Sequence, residues 1–339
     1  MATAEVSRTR IAALLVAALT LSACGQADTP TDKPAVAQGG AEFGQAGEKS
    51  AGFGTDAQPG RFPRTIKHAM GETVIEKRPE RVVVLDGGEL DNVVALGIEP
   101  VGVAYPDGAP TMPTYVGDKA GSPENVGGIT SLNLETIAKL QPDLIIGSQL
   151  RAEQQYPKLS EIAPTVFAAR PGYTWKENFR LNAAALDKVE EAEKLLSDYE
   201  ARAKRVGEAL ESKLGKRPTV TMLRFMPGKI RLYARKSFIG TILVDAGIPQ
   251  PPVSQVDDLA VEVSTEEIGK ADADWILIGT YGDQGKTAQQ QVLGGPLWQT
   301  LGAVKAGHAK PVADETWFLG LGVLAADEVL TDLEKIVTS

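Results

Sequence analysis

The stretch DKVEEAEKLLSDYEARAKRVGEALESKL, residues 187–214, decides the fold because it predicts one long helix in the middle of the chain. Asp187 and Glu190 match a capping box at its start, and Gly215 with Pro218 marks its end. A helix of this length spans about 40 Å at about 1.5 Å per residue. Its apolar side chains recur at helical spacing. They are Val189, Ala192, Leu195, Leu196, Tyr199, Ala203, Val206 and Leu210.

Strand-like and helix-like segments alternate on both sides of this helix, which predicts an α/β fold with largely parallel sheets. The segment LETIAKLQPDLIIGS (134–148) before it resembles TEEIGKADADWILIGT (265–280) after it. Each has a glutamate, an isoleucine two residues later and an apolar strand that ends in glycine. Short features of this kind can match by chance, but their shared order favours two duplicated lobes joined by the long helix. Such a helix would be a stiff strut that permits only a small rocking motion.

The first residues have the features of an export signal. Arg8 and Arg10 precede an apolar run of about 11 residues, 11–21, which is shorter than the roughly 20 residues of a membrane span. Leu21-Ser22-Ala23-Cys24 then places small residues before the chain's only cysteine, which therefore cannot form a disulfide within the chain. This pattern resembles a bacterial lipobox and predicts lipid attachment at Cys24 on the outer face of the cell membrane.

The chain is expected to divide into five parts. A segment after Cys24 is rich in Gly, Ala, Gln, Pro and Asp and has no hydrophobic period, so it is predicted to be a flexible spacer. Roughly 280 residues follow, a length that suits two domains. The predicted parts are a signal peptide (1–23), a flexible linker (24–60), an N-terminal α/β lobe (61–186), the interlobe helix (187–214) and a C-terminal α/β lobe (215–339).

Composition argues against nucleic-acid binding and catalysis. The net charge of −9 repels polyanions. We find no nucleophile motif, and the two histidines, His68 and His308, are too few for a histidine-rich metal cage. The sequence therefore predicts a binding protein without catalytic residues, metal site or covalently bound cofactor.

Candidate ligand-binding residues lie at strand ends, where α/β folds place their ligands. Arg224, Arg231 and Tyr233 flank the turn Pro227-Gly228 of a predicted hairpin, and Arg151 follows the strand 143–146. Guanidinium and aromatic groups suit a large anionic or oxygen-rich ligand. Weaker candidates, for which packing within the lobe is equally expected, are Tyr105, Tyr173, Trp175 and Tyr281.

From about Arg64 onward the sequence resembles the substrate-binding lipoproteins of ABC importers for ferric siderophores and cobalamin. The resemblance is carried by HAMGETVIEKRPERVVVL, LETIAKLQPDLIIGS, RFMPGKIRLYARKSFIGTIL, VSTEEIGKADADWILI and PLWQTLGAVKAG. It implies the class III periplasmic binding protein fold, in which two Rossmann-like α/β lobes with central sheets are joined by one long rigid helix. It also implies a pocket-lining residue near Arg151 and an aromatic one at Trp317.

The resemblance further implies permease docking through one glutamate in each lobe. Glu135 and Glu266 occupy the matching positions, with Glu267 as a neighbouring alternative, and each would pair with arginines of the permease. As N-terminal helix charges they would also be favoured by the helix dipole.

The expected function is a monomeric, lipid-anchored receptor that captures an Fe(III)-siderophore and delivers it to an ABC permease. A hydroxamate chelator is favoured, because the number of arginines near the expected cleft is modest. Three alternatives remain open: a cobalamin or haem receptor of the same fold, an exported hydrolase, and a structural surface protein.

Overall fold

The computed structural model describes residues 36–37, 43–107 and 111–338. The predicted signal peptide (1–23) and the predicted lipidation site Cys24 lie outside the described residues. These described residues group into one unit by their contacts. Among the described residues, every helix is too short or too polar to cross a bilayer.

The elements alternate between strands and helices along most of the unit. The strands are β1 (Val36–Ala37), β2 (Arg64–His68), β3 (Gly71–Ile75), β4 (Val82–Val84), β5 (Gly102–Tyr105), β6 (Glu124–Gly128), β7 (Ser131–Leu132), β8 (Leu144–Ser148), β9 (Thr165–Ala168), β10 (Val220–Met226), β11 (Lys229–Tyr233), β12 (Ala260–Val263), β13 (Trp275–Thr280) and β14 (Ala309–Pro311). The α-helices are α1 (Ala46–Ala51), α2 (Gly87–Ala95), α3 (Leu134–Lys139), α4 (Gln149–Ala152), α5 (Tyr156–Ile162), α6 (Trp175–Leu186), α7 (Val189–Leu214), α8 (Phe238–Asp245), α9 (Gly282–Leu293), α10 (Gly302–Lys305), α11 (Asp314–Trp317) and α12 (Val323–Thr338). Short 3-10 turns are Phe43–Gln45, Gly117–Ala120, Glu153–Gln155, Pro252–Ser254, Ile268–Ala271 and Trp298–Thr300.

Two six-stranded sheets lie on either side of α7 in the sequence. The first has the order β7-β6-β5-β4-β8-β9, and all its pairs are parallel except β6 with β7. The second has the order β1-β12-β11-β10-β13-β14, in which β10, β13 and β14 run parallel and β11 is antiparallel to both neighbours. Strands such as β4 and β8 are buried on both faces, which explains their unbroken apolar sequence.

The long helix α7 forms nearly as the sequence predicts. Its inward side chains are those of the expected apolar face, although Val189 at its first turn is exposed. Gly215 ends it in the left-handed conformation with φ 73°, which glycine adopts without strain. The helix packs against α6, α8 and α12.

The capping box expected at Asp187 does not form. Asp187 instead ends α6 in the left-handed conformation, and Lys188 precedes the first residue of α7 without a side-chain cap. The Asp187 carboxylate forms ion pairs with Arg64 and Arg78. These two cations lie far away in sequence, so no local pattern could show that they compete for this carboxylate.

Residues 43–60 also differ from the flexible spacer expected over 24–60. Phe43 and Ala46 are buried, and the Tyr173 hydroxyl donates to the Phe43 carbonyl oxygen at 2.6 Å. The Gly47 amide donates back to the same hydroxyl at 2.9 Å. Tyr173 thus fixes this segment by hydrogen bonds, whereas composition alone predicted a flexible linker.

One apolar core connects the two sheets through the helices between them. Its buried members include Val84 and Ile146 from the first sheet, Leu196 from α7, and Val220 and Leu277 from the second sheet. Two smaller apolar clusters lie outside this core, one on the outer face of each sheet. Because interiors of this kind are close-packed, the core restricts how far the sheets can move apart.

Gly207 lies where α7 approaches the end of α8 closely. A Cβ atom there would lie 1.8 Å from the Ala246 carbonyl oxygen at the end of α8. We therefore expect Gly207→Ala to destabilise the fold by about 1–3 kcal/mol. In a helix position with free space, the same substitution would stabilise the helix, because alanine has a higher helix propensity than glycine. Urea unfolding measures this change. Gly269→Ala, where a Cβ would meet no atom within 4 Å, is the control. Equal stability of the two variants would contradict this packing.

Candidate ligand-binding site

A cavity of about 400 Å³ lies between the loops that follow the strands of the two sheets. Its wall contains residues from both sides of α7, at the carboxyl ends of β4, β8, β9 and β10. This is the position at which open α/β sheets bind ligands. The lining residues are Asp86, Pro106, Asp107, Ile129, Thr130, Leu150, Arg151, Arg170, Pro171, Gly172, Tyr173, Arg224, Met226, Arg231, Tyr233, Lys236, Phe238, Ile239, Leu259, Tyr281, Trp317, Phe318, Leu319 and Leu321.

Arg151 and Asp86 form an ion pair in the wall on the side of the first sheet. The Arg151 Nε atom lies 3.1 Å from Asp86 Oδ2, while Asp86 Oδ1 accepts from the Gly87 amide at the start of α2. The nearby Asp86 charge raises the pKa of Arg151. Arg151 is thus fixed by a buried carboxylate while its side chain stays partly exposed to the cavity.

Glu89 lies behind this pair and is completely buried. Burial, and then the charge of Asp86, raise the pKa of Glu89 to about 8. Two residues further along α2, Asp91 accepts from the Leu324 and Ala325 amides, both at 2.9 Å, and so joins α2 to the start of α12. Burial raises the pKa of Asp91 to about 7.

Arg224 lies across the cavity on β10 and is held from several sides. Its Nε donates to Asp314 Oδ1 at 2.7 Å, and its Nη1 donates to the Tyr233 hydroxyl at 3.1 Å. The guanidinium also lies 5.1 Å and 5.0 Å from the ring centres of Tyr281 and Phe318. A guanidinium that is paired with a carboxylate and flanked by aromatic rings keeps one fixed orientation.

Arg231 is the cross-strand partner of Arg224 in the hairpin β10–β11. Its Nε and Nη2 atoms donate to Glu262 Oε1 on β12 at 3.1 Å and 2.8 Å. Glu262 thus pairs with a third arginine of the cavity wall, and it also pairs with Lys229 at 3.2 Å.

Two further cations in the wall have no carboxylate partner among the described residues: Arg170 and Lys236. Arg170 follows β9, is only 6% exposed, and donates from Nε to the Pro171 carbonyl oxygen at 3.3 Å. Burial lowers the pKa of Arg170 to about 10. The Lys236 ammonium lies 5.7 Å from the ring centre of Tyr173. Neither cation was predicted from the sequence as a ligand-binding residue. The strand-end rule that pointed to Arg151 would also have pointed to Arg170 if β9 had been recognised as a strand.

The structure brings together seven of the nine candidate ligand-binding residues named from the sequence. Arg151, Arg224, Arg231, Tyr233 and Trp317 all lie in the cavity wall. Trp317 is buried within the wall, and its indole nitrogen donates to Asp332 Oδ2 at 2.9 Å.

Trp175 and Tyr105 lie away from the cavity. Trp175 is completely buried between Tyr199 and Phe238 and donates to the Thr241 hydroxyl at 2.9 Å, so it is a core residue. Tyr105, at the end of β5, faces a separate hollow of about 30 Å³. Two of the weaker candidates, Tyr173 and Tyr281, line the cavity instead.

The two glutamates proposed for docking both lie on the surface. Glu135 is in the first turn of α3 with 78% of its side chain exposed, and it pairs with Lys139 at 2.7 Å. Glu266 is exposed just before the 3-10 turn Ile268–Ala271. The alternative, Glu267, accepts from the Ser264 amide and pairs with Lys270.

The comparisons with known proteins agree with this architecture. Residues 82–311 match the model of the family described as periplasmic binding protein. The probable siderophore-binding lipoprotein YfiY of Bacillus subtilis is 38% identical over 80% of this chain and 86% of its own length. The achromobactin-binding periplasmic protein of Dickeya dadantii is 31% identical over 76% of this chain and 86% of its own length.

Among solved structures, Staphylococcus aureus SirA complexed with staphyloferrin B has a TM-score of 0.73 at 30% identity. The match covers 80% of this chain and 97% of SirA. It confirms the predicted class III fold, a mixed α/β arrangement with a long helix. The family and these relatives are binding proteins, which confirms that the chain is not an enzyme.

The buried Glu89 predicts a loss of stability as pH rises. Its pKa in the folded state, about 8, exceeds the ordinary value of 4.5, so its contribution is complete below pH 4.5 and is lost as pH rises through 8. Glu89→Gln stays neutral throughout. We expect its stability relative to wild type to increase across this window, by at most about 1.4 kcal/mol per pH unit.

Urea unfolding at a series of pH values measures this difference. Glu72→Gln, on the exposed strand β3, is the matched control and should follow wild type. Parallel stability curves for Glu89→Gln and wild type would show that Glu89 ionises normally in the folded protein.

Proposed function

The chain belongs to the periplasmic binding protein family, and on that basis we propose that it captures a ferric siderophore outside the cytoplasmic membrane and delivers it to an ABC permease. The relatives named above as siderophore-binding or achromobactin-binding support the choice of ligand. The cavity between the two sheets is the proposed binding site.

The observation that carries this proposal is the chemistry of the cavity wall. Arginines and aromatic rings from both halves of the chain face one hollow. Among the described residues there is no group of three or more His, Cys, Asp or Glu side chains that could hold a metal ion. A wall of this kind suits iron that a chelator already surrounds, since guanidinium groups bind the chelator's oxygens and rings cover its organic shell.

We further propose that the chelator uses hydroxamate groups. Three of the five cations in the wall, Arg151, Arg224 and Arg231, are already neutralised by carboxylates. The remaining positive charge is small, and this favours a chelate of low charge over a highly anionic tris-catecholate.

The proposed location is the outer face of the cell membrane, with the protein as a monomer attached by lipid at Cys24. Support comes from the lipobox-like sequence and from YfiY, which is itself named a lipoprotein. Glu135 and Glu266 are the proposed contacts with the permease, and both side chains are exposed on the surface.

Tryptophan fluorescence tests ligand binding. Protein purified without its lipid should lose fluorescence as a ferric hydroxamate is added at micromolar concentration, because Trp317 lies in the cavity wall. Trp317→Phe should reduce the amplitude of quenching. Trp298→Phe, in the core on the outer side of the second sheet, is the control and should retain it. A response to cobalamin or haem but to no ferric chelate would contradict the siderophore proposal, and turnover of an ester or peptide would point to a hydrolase.

Uptake of radioactive iron tests the docking surface. The double variant Glu135→Ala/Glu266→Ala should bind the ferric siderophore with wild-type affinity, because both side chains lie outside the cavity. It should nevertheless reduce uptake by about tenfold or more, since each lost charge-assisted contact with an arginine is worth roughly 1.5–3 kcal/mol. The exposed pair Glu72→Ala/Glu328→Ala is the control. Normal uptake by the first double variant would exclude these glutamates from docking.

A further inference from the structure

Arg170 and Lys236 differ from the other cations of the cavity wall because neither is paired with a carboxylate among the described residues. Arg151, Arg224 and Arg231 each have a carboxylate within hydrogen-bond distance. Neither Arg170 nor Lys236 has one among the described residues. The carboxylate that remains in the wall, Asp107, accepts from the Thr130 hydroxyl at 2.8 Å.

The charge of Arg170 is buried and has no carboxylate partner among the described residues, which is unfavourable for the folded protein. It is 94% buried by area, and its Nη1 atom has no hydrogen-bond partner. A buried charge without a partner destabilises a fold, so such groups are normally paired. The Phe43 ring, whose centre lies 4.3 Å from the guanidinium, covers one face of the charged group but supplies no opposite charge.

Lys236 approaches the same place from the other half of the chain. It follows β11, directly before the Ser237 cap of α8. Its ammonium lies 5.7 Å from the ring centre of Tyr173, and the Arg170 guanidinium lies 5.8 Å from the same ring centre. The two cations, one from each half, therefore both lie near the same aromatic side chain in the cavity.

The segment Phe43–Ala51 fixes this arrangement from behind. The Phe43 ring packs on the guanidinium and, with its centre 5.1 Å away, on the Tyr173 ring. The Phe43 carbonyl and the Gly47 amide both hydrogen-bond to the Tyr173 hydroxyl. Residues that precede the first sheet thus hold both the cation and the ring in position.

We infer that Arg170 and Lys236 form a subsite for a carboxylate that the ferric chelate carries in addition to the groups bound to iron. This inference rests on the proposed function. One carboxylate would compensate the buried guanidinium and would contact a cation from each half of the chain. It would also lower the net positive charge of the cavity, whose wall contains five cations and only two carboxylates, Asp86 and Asp107.

A set of chelates that differ only in a pendant group tests the subsite. Ferrioxamine B carries a pendant ammonium, its N-acetyl derivative is neutral, and its N-succinyl derivative ends in a carboxylate, while the iron coordination is identical. We expect the succinyl form to bind about tenfold more tightly than the acetyl form, by fluorescence titration of the full chain. Arg170→Gln and Lys236→Gln should each abolish that preference, so that the succinyl and acetyl forms bind the variant with equal affinity.

Equal affinity for the three chelates, or an undiminished preference in the variants, would overturn the subsite. If none of the three binds, ferric citrate replaces them, and Arg170→Gln must weaken its binding about tenfold. If ferric citrate also fails to bind, the proposed function falls, and the subsite falls with it. Lys310→Gln, on β14 and outside the cavity, is the control.

Thermal unfolding without ligand separates a binding role from a structural one. Arg64 is a similarly buried arginine, but it has a carboxylate partner, Asp187. We expect Arg64→Gln to lower the Tm clearly, whereas Arg170→Gln lowers it less or raises it, because a charge without a partner is removed. A larger fall for Arg170→Gln would mark it as a structural residue and overturn the inference.

Phe43→Leu tests the positioning role of the N-terminal segment. Loss of the ring should reduce the preference for the succinyl over the acetyl chelate, while the affinity for the acetyl form stays at the wild-type value. A variant that loses affinity for both chelates equally would show that Phe43 supports the cavity as a whole and not the subsite.

Discussion

The packing of α7 on both halves of the chain is the constraint on which the rest of the structure depends. Its apolar face belongs to one core that continues into both sheets, and Gly207 lets it approach α8 at backbone distance. Because this core is shared, the loops of the two halves face each other across a cavity of defined width. The hydrogen bonds from α12 to Asp91 of α2 add a polar link between the same halves.

This framework explains the electrostatics of the cavity. Arg151, Arg224 and Arg231 are each oriented by a carboxylate, so little side-chain entropy would be lost when a ligand binds. Such pairs supply directed N–H groups with little net charge. Arg170 and Lys236 supply net charge, and they come from opposite halves. In the proposed function, paired arginines and rings hold the chelate, and the unpaired cations select among chelates by charge.

The sequence predicted the elements that depend on local pattern. The helical spacing of residues 187–214 is local, and so are the apolar runs of β4 and β8 and the turn that places Arg224 opposite Arg231. The Asp187 cap failed because the partners of its carboxylate are distant in sequence. The positions of Trp175 and Tyr173 also depend on contacts that are distant in sequence. They lie two residues apart in a polar stretch, and only tertiary packing places one ring in the core and the other in the cavity.

The most direct measurement of the central claim is the position of iron in a crystal of the protein grown with a ferric siderophore, found by anomalous scattering. We expect one iron atom inside the cavity, bound only by chelator oxygens, with guanidinium groups of the wall contacting those oxygens. A protein atom bonded to the iron at about 2 Å, or iron found only outside the cavity, would contradict that claim.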